Sequence, residues 1–171
     1  MSNINKAFKI QVIVALNNKI LLLRTNKKRG EFWQNITGSM EENENFKQCA
    51  LREFSEETGI TIISEINQKF KAIDSEGNKL NGELIELPFI NKFVDQTSRF
   101  IEEHCYLCHI SRLSFLSICT PQATNDIIIK LDAIEHNKYQ WVDINEIKEC
   151  NYKYISNYLA FKSALPFLSL F

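Results

Sequence analysis

Residues 50–60 read ALREFSEETGI, with Glu53, Glu56 and Glu57 three and four positions apart and Arg52 beside the first. On a helix at about 100° per residue, Glu56 lies about 60° to one side of Glu53 and Glu57 about 40° to the other, so all three carboxylates share one face. Like charges at such spacings repel, and carboxylates crowded against protein tend to take up protons. A divalent cation relieves both effects, because hard oxygen ligands suit Mg²⁺ and Mn²⁺. The Arg52 guanidinium can fix the orientation of one carboxylate. The competing reading is a solvated acidic helix face, the commonest fate of a charge run. The triplet alone leaves both open.

The carboxylates need a helix that is held in place. ENFKQCALREFSEET supplies one, with Phe46, Ala50 and Phe54 at i, i+4 and i+8 and Gly59 as its stop. Phe46, Cys49 and Ala50 share the glutamates' face a turn or two earlier, so the N-terminal half packs and the acidic end stays close to the fold. Before it, FKIQVIVAL and KILLLR flank Asn17-Asn18 as a β-hairpin, and FWQNITG reads as a further strand ending at Gly38. After it, ITIISEI, RFIEEHCYLCHI, DIIIKL and YQWVD read as strands, Asp143 can cap a short helix, and YKYISNYLAFKSAL reads as a terminal helix. Residues 67–98 are the least legible. Strands on both sides of a central helix, with a second helix last, predict an α/β fold: a mixed sheet sandwiched by helices. The absence of repeats and linkers predicts one domain over 1–171.

The chain has 171 residues, 44% hydrophobic and 24% charged, with a net charge of −1. That balance provides no global attraction for nucleic acid or an anionic membrane, so any polyanion must be held by local charge or metal ions. No stretch approaches the length of a membrane span, and the N-terminus lacks the apolar core of a secretory signal, which predicts a cytoplasmic protein. Its five cysteines, at 49, 105, 108, 119 and 150, fit reduced thiols. Cys105-Tyr-Leu-Cys108-His109 spells a haem-attachment pattern but lies in a strand-like run and reads as core. Asn35-Ile-Thr37 forms a glycosylation sequon that has no meaning without secretion. The apolar tail ALPFLSLF reads as a docked terminus.

From Gly38 onward, GSMEENENFKQCALREFSEETGI fits G-x5-E-x7-R-E-U-x-E-E-x-G-U, U being apolar, at every fixed position. This resembles the Nudix box (residues 38–60 here) of pyrophosphohydrolases acting on a nucleoside diphosphate linked to another group. The resemblance implies the αβα Nudix sandwich and a catalytic Mg²⁺, with Mn²⁺ as a substitute. It implies that Glu53, Glu56 and Glu57 are metal ligands, helped by the Gly38 carbonyl, with Glu53 or Glu56 as general base. Arg52 would orient a carboxylate, Gly59 would end the helix, and Glu44 would be a helix-start or salt-bridge residue. For the glutamate that family members often add from outside the box, Glu135 in AIEHNKYQWVD is the first candidate, ahead of Glu102 and Glu103. Clustered cations would lower the pKa of bound water and stabilise the attacking and leaving oxygens.

The flanks narrow the resemblance. FWQNITGSMEENE and IEHNKYQWVD are similar to segments of bacterial dihydroneopterin triphosphate pyrophosphatases, which release pyrophosphate in folate biosynthesis. That implies substrate contacts from Lys9 and Thr37, with Trp33 near the pterin or base; as a residue type, Trp33 is equally a core aromatic. Arg24, Lys27, Lys28 and Arg29 could attract a triphosphate or keep a loop soluble, the second being favoured. Two departures stand out: Asn43 occupies a position where glycine commonly precedes the box glutamate, and residues 67–98 match only around PFINKF. The alternatives are a broader nucleoside triphosphate, dinucleotide or RNA 5′-end hydrolase, or a non-catalytic nucleotide-sensing module. The near-neutral charge disfavours RNA, and an intact box disfavours the module.

Overall fold

The computed structural model describes residues 5–113 and 126–171; Cys119 lies outside the described residues. The N-terminal hairpin forms as its sequence predicts, with β1 (Lys6–Leu16) and β2 (Lys19–Thr25) joined through Asn17 at φ 53°. The two strands pair directly only at Ala15–Ile20 and Leu16–Lys19. Beyond that point the hairpin splays, and a third segment enters: β3 (Trp33–Gln34) pairs with β2, and β4 (Ile36–Ser39) pairs with β1. The single strand expected over FWQNITG is thus broken at Asn35, because its two halves serve different partners.

Helix α1 (Phe46–Thr58) follows, then β5 (Thr61–Ile66), β6 (Lys69–Ile73), β7 (Lys79–Val94) and β8 (Phe100–Arg112). β8 runs parallel to β1 from Lys6–Phe100 to Leu16–Ile110, and β7, β6 and β5 extend that side antiparallel. β9 (His136–Asp143) covers the outer edge of β2, and α2 (Ile155–Leu168) comes last. The sheet is mixed, as expected.

Strand alternation sorts the core. Val12, Val14 and Leu16 of β1 join Cys49, Ala50 and Phe54 of α1 on one face. Ile13 and Ala15 join Ala160, Phe161 and Ala164 of α2 on the other. The αβα sandwich follows, each fully buried aliphatic side chain contributing about 1.5–3 kcal/mol. Cys105 and Cys108 fall into opposite core layers, so they cannot hold one haem or metal together.

Several boundaries differ from expectation. α1 starts at Phe46 rather than Glu44, because the Asn45 side chain accepts from Gln48 N–H and Gln48 reciprocates, forming a capping box. Asn43 has φ 64°, a left-handed conformation that asparagine tolerates, which accounts for it standing where glycine is common. DIIIKL is not a strand: it buries Ile127 and Ile129 in alternation, but its backbone link is Lys130 N–H to the Thr58 carbonyl at 2.9 Å. α2 begins at Ile155, three residues late. Residues 67–98 are mostly sheet, with the β7–β8 register broken between Glu86 and Ile90. The tail does dock, with Phe171 stacking on His109 at 3.9 Å.

Candidate functional site

β4 pairs only with β1 among the described residues, so its other edge is open. α1 lays its acidic turn against that edge. A Cβ added to Gly38 would lie 2.1 Å from Glu53 Cδ and 2.2 Å from its Oε1. Glycine is needed there because only a bare backbone lets the Glu53 carboxylate come so near. Gly59, at φ 73°, ends α1 in the left-handed conformation and faces Lys130.

Arg52 ties the acidic groups together. It donates to Glu44 through Nε at 2.8 Å and Nη2 at 3.1 Å, and to Glu53 through Nη1 at 2.8 Å. It also reaches Glu56 at 3.2 Å and the Ser39 carbonyl at 3.0 Å. The Glu44 carboxyl is consequently held down to about 2, chiefly by its hydrogen bond to Arg52. Glu44 is therefore the ion-pair member of the cluster, and Asn45 is the cap. Glu53 behaves in the opposite way: burial outweighs Arg52 and pushes its carboxyl up to about 7. Glu56 stands half exposed at the mouth.

Glu57 is buried and meets two groups from the other side of the cleft. One is Glu135, delivered by a turn in which the Asp132 carbonyl accepts the N–H groups of Glu135 and His136 at 3.1 and 2.9 Å. Burial and then Glu57 raise the Glu135 carboxyl, while Arg29 clasps it at 2.9 and 3.3 Å. The other is His136, fully buried, with Nδ1 2.6 Å from Glu57 Oε2. The alignment does not make this contact a hydrogen bond, and both atoms are buried without a partner. On its far side, His136 Nε2 faces Gln34 Nε2 at 3.0 Å; with that amide donating, the ring proton sits on Nδ1. One atom each from Glu57, Glu135 and His136 lie within 4.8 Å of one another. Crowded carboxylate oxygens, with the buried Glu57 Oε2 left without a hydrogen bond, are what a hard divalent cation would satisfy.

The open cleft around these groups has a volume of about 410 Å³ and is lined by Lys9, Thr37, Gly38, Glu53, Glu56, Glu57 and Glu135, among others. The NUDIX domain family pattern matches residues 8–160. The chain belongs to the Nudix family. The Nudix chain is 26% identical over 129 residues to an octanoyltransferase of Myxococcus xanthus, covering 74% of this chain and 27% of that protein. It is 41% identical over 54 residues to the dihydroneopterin triphosphate diphosphatase of Escherichia coli K12, covering 32% of this chain and 36% of that enzyme. These matches span about a third or less of the curated relatives. Among solved structures, a Burkholderia pseudomallei MutT NUDIX hydrolase superposes with TM-score 0.61 at 13% identity, covering 93% of this chain and 98% of that one. The E. coli dihydroneopterin triphosphate pyrophosphohydrolase gives TM-score 0.57 at 20% identity, covering 91% and 92%.

The Nudix cleft thus gathers Gly38, Arg52, Glu53, Glu56 and Glu57 of the box together with Glu135, Lys9 and Thr37, while Glu44 and Gly59 support it from outside the lining. Three candidates from beyond the box also lie outside its lining. Trp33 packs half-buried against the α2-side core. Glu102 is occupied by Lys6 at 2.7 Å and His104 at 3.3 Å. Glu103 is buried beside Gln11. Sequence reasoning overlooked His136, Gln34 and the cleft position of Arg29. The signal for His136 was its place next to Glu135 at the entrance of a strand.

Proposed function

We propose that this chain is a divalent-metal-dependent hydrolase of phosphoanhydride bonds, one Nudix domain over 1–171 with its box at 38–60. The carrying observation is the convergence of Glu53, Glu56, Glu57 and Glu135 on the open edge of β4, inside a cleft that also presents Lys9 and Thr37. In this reading Glu53, Glu56, Glu57 and Glu135 hold Mg²⁺, or Mn²⁺ in its place, with the Gly38 carbonyl alongside. The bound metal would supply charge stabilisation for phosphoryl oxygens and a lowered pKa for the attacking water. Arg52 fixes the direction of Glu53. Glu56, open to solvent and held by Arg52 at only 3.2 Å, is the better placed of the two base candidates. Lys9 and Thr37 would bind the substrate's anionic chain.

The substrate we infer is dihydroneopterin triphosphate, cleaved to the monophosphate and pyrophosphate as a step of folate biosynthesis. The partial identity with the E. coli enzyme supports this. The free thiols of Cys49, Cys105, Cys108 and Cys150 support a reducing, cytoplasmic setting. Among the described residues, no helix is long and apolar enough to cross a membrane.

The test incubates purified protein and Mg²⁺ with dihydroneopterin triphosphate, the nucleoside triphosphates and a diadenosine polyphosphate. Pyrophosphate release from the pterin with kcat/KM well above that for GTP is the expected result. Similar rates across nucleotides would remove the pterin assignment, and inertness toward every phosphoanhydride would remove the hydrolase.

A further inference from the structure

Glu103 is a carboxylate for which the proposed chemistry has no use. It is 5% exposed and, among the described residues, makes no ion pair. Its partners are two amides: Gln11 Nε2 donates at 3.0 Å and Asn91 Nδ2 at 3.3 Å, both to Oε1. Oε2 receives no hydrogen bond from a described residue. Burial pushes the carboxyl's pKa up, and only these amides and the charge of Lys9 oppose it. Unlike Glu57 Oε2, Glu103 Oε2 is not among the fully enclosed polar atoms without a partner, which leaves room for a further donor.

The donors already present are rigidly placed. Gln11 Oε1 accepts from Asn35 Nδ2 at 2.7 Å, so the Gln11 amide must turn its nitrogen to Glu103. Asn35 is itself fixed by the Asn157 side chain and the Tyr152 hydroxyl, both at 3.0 Å. The location also matters. Lys9 lies opposite Ser39 on one neighbouring strand and opposite Glu103 on the other, and both Lys9 and Ser39 line the cleft. With strands about 4.8 Å apart, Glu103 sits about 10 Å from β4. It lies on the sheet face of Lys9 and Gln11, with part-buried Asn91 beside it. A triphosphate anchored at the box would place its heterocycle over that face.

Building on the hydrolase function proposed above, we propose that Glu103 determines substrate specificity by accepting, on its open Oε2, the exocyclic amino group of an amino-pyrimidinone edge. Guanine and pterins share that edge, a ring N–H beside an exocyclic amino group, and a hydrogen bond to a charged carboxylate oxygen is among the stronger ones. Adenine and hypoxanthine lack the pair.

The test compares kcat/KM for GTP, ITP and dihydroneopterin triphosphate in the wild type and in Glu103→Gln, ITP being GTP without the exocyclic amine. The wild type should favour GTP over ITP by roughly 10–100-fold, the range of one hydrogen bond to a charged group. Glu103→Gln, which puts an amide donor against a donor edge, should bring the ratio close to one by losing GTP while nearly keeping ITP. Dihydroneopterin triphosphate should fall with GTP, and the faster of the two in the wild type identifies the source of the edge. Asn91→Ala, at the rim, should shift the ratio in the same direction by a smaller factor. Equal wild-type rates on GTP and ITP, or equal losses on both in the variant, would overturn the assignment and leave the hydrolase intact. If no triphosphate is cleaved, the hydrolase fails separately. Calorimetric Kd values for GMP and IMP then decide: a wild-type preference for GMP that Glu103→Gln abolishes supports the assignment, and equal values overturn it.

Discussion

Gly38→Ala adds one methyl group at the point where β4 touches Glu53. The new carbon would start 2.1 Å from Glu53 Cδ, against the 3.4 Å at which ordinary contact begins. The carboxylate must therefore move by about 1.3 Å, since β4 is fixed by its pairing with β1. Metal–oxygen geometry tolerates only about 0.2 Å, and a misplacement of about 1 Å costs on the order of 10²-fold in rate. Gly38 does not have a positive φ, so alanine brings no backbone strain of its own. Restricting the unfolded chain should return about 0.4–1 kcal/mol. The expected outcome is a variant whose urea midpoint stays close to wild type while kcat/KM for pyrophosphate release falls about 100-fold. Activity within threefold of wild type would refute the claim that Gly38 exists to admit Glu53.

Glu57→Gln should lower kcat by several orders of magnitude with an unchanged circular dichroism spectrum, because it removes a buried charge facing Glu135; near-normal turnover would displace the metal site. His136→Phe should weaken Mn²⁺ binding about 10–100-fold by electron paramagnetic resonance, while an unaltered Kd would make His136 a packing residue. Glu53, pushed up to about 7 from an ordinary 4.5, gives the metal-free protein a falling stability curve. Between about pH 4.5 and 7 the folded state keeps a proton that the unfolded chain has lost, so stability declines as pH rises, by about 3 kcal/mol. Glu103 and Glu135, also raised by burial, act in the same direction. Urea titrations in a chelator at pH 5 to 8 check this, and a flat or rising curve would contradict it.

The acidic turn was legible because helical spacing is a local property: residues three and four apart must share a face wherever the helix goes. Gly38 and Glu53 could be named from their motif, but the reason for the glycine could not, since it is a contact between a strand and a helix. Trp33 illustrates the limit differently. Its side is set by which edge of the splayed hairpin a two-residue strand joins, and nothing within FWQNITG encodes that. DIIIKL carried a correct alternation and a wrong element, because burial alternates along any extended segment that packs, whether or not a strand is available to pair with it. The β7–β8 irregularity hid residues 67–98 by shifting the inward-facing register partway along one long strand.

The parallel alignment of β1 with β8 has a consequence for how the chain comes together. Lys6 finds its partner in Phe100, so the centre of the sheet is closed by residues remote in sequence. Such closure is slow. During synthesis the N-terminal hairpin must therefore emerge and wait with its innermost edge unsatisfied until Arg112 has left the ribosome, and for that interval the apolar run of β1 is available to any neighbouring chain.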